Sequence, residues 1–167
     1  IEIARQRADK LHHEAVKRGL DPWNSYAFAV GEAMFREITV ERCLQGSDEL
    51  NGGRAFFDSV YRLITHENSG SLFEQAFLVA HEIGHVELGD DTQDEYVINI
   101  EPARTTEAEL SGISRVVDYN HRQRREVQMD LFAREFLIPR SVVRKLHLEC
   151  HMTCSDIASR LGAPFEV

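Results

Sequence analysis

Apolar positions recur at helical spacing over residues 2–18, where Ile3, Ala4, Ala8, Leu11, Ala15 and Val16 share a face before Gly19 supplies a stop. Asp21-Pro22 predicts the cap and first turn of a second helix, with Trp23, Tyr26, Ala27, Val30, Ala33 and Met34 on its apolar side. The pattern then shortens. Residues 38–44, 54–58 and 60–65 read as three short strands. The Gly-, Ser-, Asp- and Asn-rich segment 45–53 parts the first two, and Ser59 alone parts the last two. Helical spacing returns over 72–88, behind Ser69 or Ser71 as cap, and again over 122–137, with Val127, Leu131, Phe132, Phe136 and Leu137 inward. Ile138-Pro139 breaks that helix. Ser141 caps the next, which runs to Cys150. Thr153 or Ser155 caps a last one ending at Leu161, before Gly162-Ala-Pro164 turns the chain. Residues 90–120 carry no period and many polar side chains. They read as a long surface loop, acidic at its start, with 97–100 a short extended piece.

These elements predict an α+β fold, rich in helix, around a small, mostly antiparallel three-stranded sheet. A length of 167 residues with 43% hydrophobic residues is enough for one core. We expect a main domain over 1–140 and a C-terminal helical segment over 141–167. The chain opens on Ile1 and stops at Val167 inside what reads as a continuing element, so a fragment of a longer polypeptide is expected. Net charge is −9, which argues against a nucleic-acid-binding surface over the whole molecule. No apolar run approaches the ~20 residues of a membrane span, and the charged first segment is not a signal peptide. Three cysteines, Cys43, Cys150 and Cys154, make no disulfide framework, so the expected location is the cytoplasm.

The chemistry concentrates in Phe77-Leu-Val-Ala-His81-Glu82-Ile-Gly-His85-Val86-Glu-Leu88. On a helix His81 and His85 stand one turn apart and point the same way, so both imidazoles can reach one metal ion. Glu82 sits one step round, where a general base belongs rather than a ligand. Leu78, Val79, Ile83 and Val86 give the motif an apolar surround, and Gly84 leaves room between the histidines.

A catalytic metal commonly takes three protein ligands. Glu87 lies two residues past His85 and points away. Asp90, Asp91, Glu95, Glu107 and Glu109 stand in the aperiodic stretch, and a loop is a poor platform for a fixed ligand. Glu126 sits near the start of an amphipathic helix, with Asp130 four residues on along the same face. Glu126 could bind the metal while Asp130 accepts the second N–H of a ligating histidine. The spacing is equally that of a solvated acidic face.

Taken together, 77–85 and Glu126-Val-Gln-Met-Asp-Leu-Phe-Ala-Arg-Glu-Phe-Leu-Ile-Pro139 resemble the ImmA/IrrE metallopeptidases. That family joins a zinc-binding His-Glu-x-x-His helix to a core helix of the form Glu-x-x-Ala-Asn/Asp-x-Phe-Ala-x-x-Leu-Leu-Met-Pro. Glu126, Asp130, Phe132, Ala133, Leu137 and Pro139 match. Met129 stands for a small residue, Phe136 for Leu and Ile138 for Met. The resemblance covers most of the chain and is weakest over 90–120. It implies a zincin-like domain with one Zn2+ per chain on His81, His85 and Glu126. It further implies Glu82 as catalytic base and Asp130 orienting a histidine, an arrangement similar to thermolysin-like enzymes. Family members commonly cleave helix-turn-helix repressors of mobile elements or of DNA-damage genes. The expected activity is therefore a regulatory zinc endopeptidase with a protein substrate. The rival expectation is a metal-binding sensor or interaction module that regulates a repressor or a fused effector without cutting.

Four further residues are candidates for stabilising an oxyanion: His66, Tyr96, Tyr119 and His121. His147, Cys150, His151 and Cys154 lie close in sequence but lack the paired Cys-x-x-Cys spacing of structural zinc. Residues 153–162 look a little like half of a helix-turn-helix, and the acidic balance favours a packing role for them instead.

Overall fold

The pattern of apolar faces is realised as a helical scaffold with a small sheet on one side. A computed structural model describes residues 2–89 and 121–164. The described elements are α1 (Glu2–Lys17), α2 (Ser25–Phe35), β1 (Thr39–Cys43), a 3-10 turn (Asp48–Leu50), β2 (Ala55–Asp58), β3 (Leu63–Glu67), α3 (Leu72–Leu88), α4 (His121–Leu137), α5 (Arg140–Cys150) and α6 (Cys154–Leu161). The expected loop over 90–120, with its extended piece at 97–100, lies outside the described residues.

The α+β reading holds, and the sheet corrects one detail of it. Strand order is β1-β3-β2, with β2 antiparallel to β3 and β1 parallel to it. The sheet is therefore mixed rather than mostly antiparallel. Side-chain patterning sets which face of a strand is buried but carries nothing about strand direction. β3 also starts later than expected. The Asp58 carboxylate accepts hydrogen bonds from the amides of Val60 (2.8 Å) and Tyr61 (3.0 Å), and Arg62 takes φ 49°, so this apolar stretch becomes a turn.

Caps decide most helix ends. Ser71 accepts from the Glu74 amide at 3.2 Å while Glu74 accepts from the Ser71 amide at 2.7 Å, a reciprocal capping box that starts α3. Thr153 and Asp156 do the same for α6. Asp21 does not start α2. Its side chain accepts from the Trp23 amide to close a turn, and Asn24 caps the helix from Ser25 instead. Nor does Ser141 cap α5; Pro139 holds the cap position and the Ser141 hydroxyl donates to Asp9 of α1 at 2.7 Å.

The core is where α3 and α4 cross, closed from the other side by α1 and α2. Phe28 of α2 stacks on Phe136 of α4 with centroids 5.1 Å apart, and Phe132 lies over Phe136 at 6.3 Å. The phenylalanine at 136 thus fills space beside α2. α6 adds Ile157 and Leu161 to the same core, the packing role expected of it.

Two histidines are buried in this frame. His12 donates through Nδ1 to the Phe136 carbonyl at 2.7 Å, and His66 donates through Nδ1 to the Glu67 carbonyl at 2.8 Å. A carbonyl only accepts, so each ring carries a proton on Nδ1 in these bonds. Burial is the leading influence on each and holds both below the usual histidine value of 6.5. The unfolded chain takes up protons below that value while the folded chain does not. Stability contributed by the neutral rings is therefore complete above pH 6.5 and declines as pH falls below it, by at most about 1.4 kcal/mol per pH unit for each proton. Urea unfolding between pH 7 and 5.5 should show this slope, and His12→Gln should reduce it.

A candidate metal centre between two helices

α3 and α4 each deliver two polar residues, one turn apart, into the same space. From α3 come His81 and His85, with ring centroids 5.1 Å apart. From α4 come Glu126 and Asp130. One ligand atom from each of His81, His85 and Glu126 lies within 4.8 Å of the others. His81 Nε2 is 3.2 Å from Glu126 Oε2 and 3.3 Å from His85 Nε2, and His85 Nε2 is 4.0 Å from Glu126 Oε1. On its far side His81 Nδ1 meets Asp130 Oδ1 at 2.9 Å. The His81–Asp130 bond is the one expected of a carboxylate that fixes a ligating histidine's tautomer, with Nδ1–H donating and the Nε2 lone pair facing the cluster.

That donor set fits a cation. With Nδ1 protonated, Nε2 of His81 turns a lone pair toward a carboxylate and toward a second imidazole nitrogen. Electron-rich atoms at such distances repel unless a proton or a metal ion sits between them. The acid–base behaviour of His81 states the same demand. Burial alone would lower its pKa, but hydrogen bonds to Asp130 and Glu126 and the charges of Glu82 and Asp130 raise it to about 10. A proton held this tightly at Nε2 occupies the place of a cation. The site also keeps access to solvent: the His81 and His85 side chains are 16% exposed and that of Glu126 is 39% exposed.

Glu82 is buried on the same helix and adds its charge to the surround of His81. Arg125, beside Glu126, donates to the Gly89 carbonyl at the end of α3, so the two helices are tied next to the cluster. The approach of α4 to α3 depends on Gly84. A Cβ there would meet Phe132 Cδ1 at 3.1 Å and Met129 Sδ at 3.2 Å. Gly84 therefore leaves room for α4, not for a gap between the histidines as its position in the motif predicts. Met129, 1% exposed, is seated over that glycine, which accommodates its bulk. Replacing Asp130 by Ala should lower zinc affinity about 10- to 100-fold while leaving His81, His85 and Glu126 in place. Competition against a chromophoric chelator measures this.

The remaining predicted residues separate cleanly. His66 is wholly buried on β3; its Nδ1 is engaged by the Glu67 carbonyl and its Nε2 accepts from the Tyr26 hydroxyl at 2.9 Å. One nitrogen is thus engaged by the strand backbone and the other by Tyr26 of α2. Tyr96 and Tyr119 lie outside the described residues, as do Asp90, Asp91, Glu95, Glu107 and Glu109. His121 is the first residue of α4. Glu87 points away from the cluster, as its spacing predicts, and pairs with Arg7 and Arg36. Among the described residues no second group of potential ligands converges; His147 is bonded to the Met152 carbonyl at 2.9 Å. No helix among the described residues is long and apolar enough to cross a membrane.

Two imidazoles and a carboxylate converge from two packed helices, with a buried glutamate next to the first histidine, and the three form a group that could hold a metal ion. Residues 43–167 match the M78 peptidase family, the IrrE N-terminal-like domain, and the chain belongs to that family. Nothing among curated proteins matches the chain. Membership in a metallopeptidase family implies a metal, and His81, His85 and Glu126 are the described residues that could hold it.

Proposed function

We propose that this chain is a zinc-dependent endopeptidase that cuts a protein substrate, with a helix-turn-helix transcriptional repressor as the best candidate. One observation carries the reading: the His81, His85 and Glu126 ligand atoms within 4.8 Å of one another, on helices that also present Glu82 and Asp130. Two imidazoles and a carboxylate favour zinc over magnesium or calcium, which take oxygen ligands. One ion per chain follows from the single cluster among the described residues.

Zinc, when bound, supplies Lewis acidity and brings the pKa of a coordinated water toward ~7. The protein does the rest. Asp130 accepts the Nδ1 proton of His81 and so keeps Nε2 available as a ligand atom. Glu82 takes a proton from the attacking water and returns it to the leaving amine. Its burial keeps bulk water from competing for that proton. The substrate lies extended along an edge of the small sheet, adding a strand. We assign the catalytic work to residues 1–140 and treat 141–167 as a helical segment docked on that domain. The unpaired thiols of Cys43, Cys150 and Cys154 support a cytoplasmic location.

The test compares the zinc-loaded chain with its Glu82→Gln variant on a panel of helix-turn-helix repressors, with fragments identified by mass spectrometry. Zinc binding without cleavage by the wild-type chain would instead favour a sensor module.

A further inference from the structure

Glu87 lies on the wrong side of α3 to bind metal and is nonetheless among the most constrained acids in the fold. Each helical residue advances about 100°, so Glu87 stands roughly 200° from His85, on the side opposite the cluster. Its side chain is 5% exposed. Arg7 Nε of α1 contacts it at 2.6 Å, and Arg36, just past the end of α2, pairs with its other oxygen. Arg36 also bonds the Glu32 carboxylate at 3.0 Å, and Glu32, wholly buried, pairs with Arg18 as well. The result is one continuous row of alternating charge, Arg18–Glu32–Arg36–Glu87–Arg7, running across α1, α2 and the last turn of α3.

That last turn carries His85. Behind it the helix ends at Gly89, which takes φ 71°. A helix end is the part most free to fray. Here the contacts of Glu87 hold it from behind, while His85 faces the cluster in front.

We propose that Glu87 is a positioning residue of the metal centre: clamped by Arg7 and Arg36, it fixes the rotation of the last turn of α3 and so the aim of His85. The inference rests on the metal-centre reading above. It also gives a task to α1 and α2, which lie ahead of the family-matched residues 43–167. α1 holds α4 in the same way, through the His12 bond to the Phe136 carbonyl. The segment before residue 43 thus grips both ligand-bearing helices from the side away from the site.

The experiment uses the full chain and Zn2+ in competition with a chromophoric chelator, well below the unfolding temperature. Glu87→Gln keeps the shape and removes the charge. Its zinc affinity should fall about tenfold, within the range seen when groups behind a ligand are lost. The visible spectrum of the Co2+-substituted variant should shift, because His85 no longer sits at its place. Arg7→Gln removes one arm of the clamp at a half-exposed position and keeps the test open should Glu87→Gln fold poorly. It should lower affinity in the same direction, and the double variant should lose less than the sum. A lower unfolding temperature for the metal-free variants with unchanged zinc affinity and an unchanged Co2+ spectrum would overturn the clamp and leave the site reading intact. A wild-type chain that fails to bind zinc would overturn both.

Discussion

Glu82→Gln should remove peptide cleavage while leaving one zinc per chain. The substitution is isosteric and changes none of the three proposed ligands, His81, His85 and Glu126. What it removes is a basic oxygen. A glutamine amide cannot accept a proton from water at neutral pH, and it cannot hand one to the leaving amine. General-base assistance is typically worth about 10²- to 10⁴-fold, and in the proposed mechanism the same group serves twice. The loss should fall on kcat more than on KM, since the proton moves only in the reaction and not in substrate binding. Glu82 is buried, so solvent cannot readily take its part. Wild-type cutting by the variant would remove Glu82 from the mechanism. Loss of zinc together with activity would place it among the ligands instead.

How much of this was legible in the sequence depends on whether the cause was local. α3 runs from Leu72 to Leu88 as its pattern predicts, because its signals are local: Ser71 and Glu74 cap each other, and Gly89 follows the last apolar residue. Glu126 and Asp130 were legible for a similar reason. Their spacing puts them on one face of one helix, though spacing alone did not separate a metal ligand from a solvated acid. Two local signals misled because a neighbour offered the same chemistry. Asp21 and Asn24 can both cap, and Asn24 does so because Asp21 is spent on the Trp23 amide. Val60 and Tyr61 look like strand residues, but the Asp58 carboxylate bends them into a turn.

Long-range causes left less trace. The direction of β1 is set by its pairing with β3, from Thr39 opposite Leu63 to Cys43 opposite Glu67, and no residue in either strand announces it. His12 reads as an ordinary helix histidine until the Phe136 carbonyl, far along the chain, is brought against it. The Arg7–Glu87–Arg36 clamp is of the same kind: three unremarkable surface-type charges become a row, with Glu87 buried between two arginines, only after α1, α2 and α3 have packed. Gly84 shows both cases in one residue. Its place between two histidines suggested space within the motif, whereas the fold uses the missing side chain to bring Phe132 and Met129 close.

Glu126→Ala should cost the protein its zinc. The variant leaves two imidazoles on α3, one turn apart, and takes away the single proposed ligand that comes from α4. Two histidines alone do not complete a catalytic zinc site, which commonly uses three protein ligands. The neighbouring carboxylate cannot replace it, because Asp130 Oδ1 is engaged at 2.9 Å by the other nitrogen of His81. The effect on the metal-free protein should be small, since Glu126 lies partly exposed on its helix. Removing it also removes one of the hydrogen bonds that raise the His81 pKa to about 10, so that pKa should drop in the metal-free variant. Metal analysis after gel filtration reads the first effect, and NMR titration of the His81 ring reads the second. Retention of one zinc per chain by Glu126→Ala would exclude Glu126 as the third ligand and move the search to residues 90–120. Loss of zinc with an unchanged fold by circular dichroism would establish that the site spans α3 and α4.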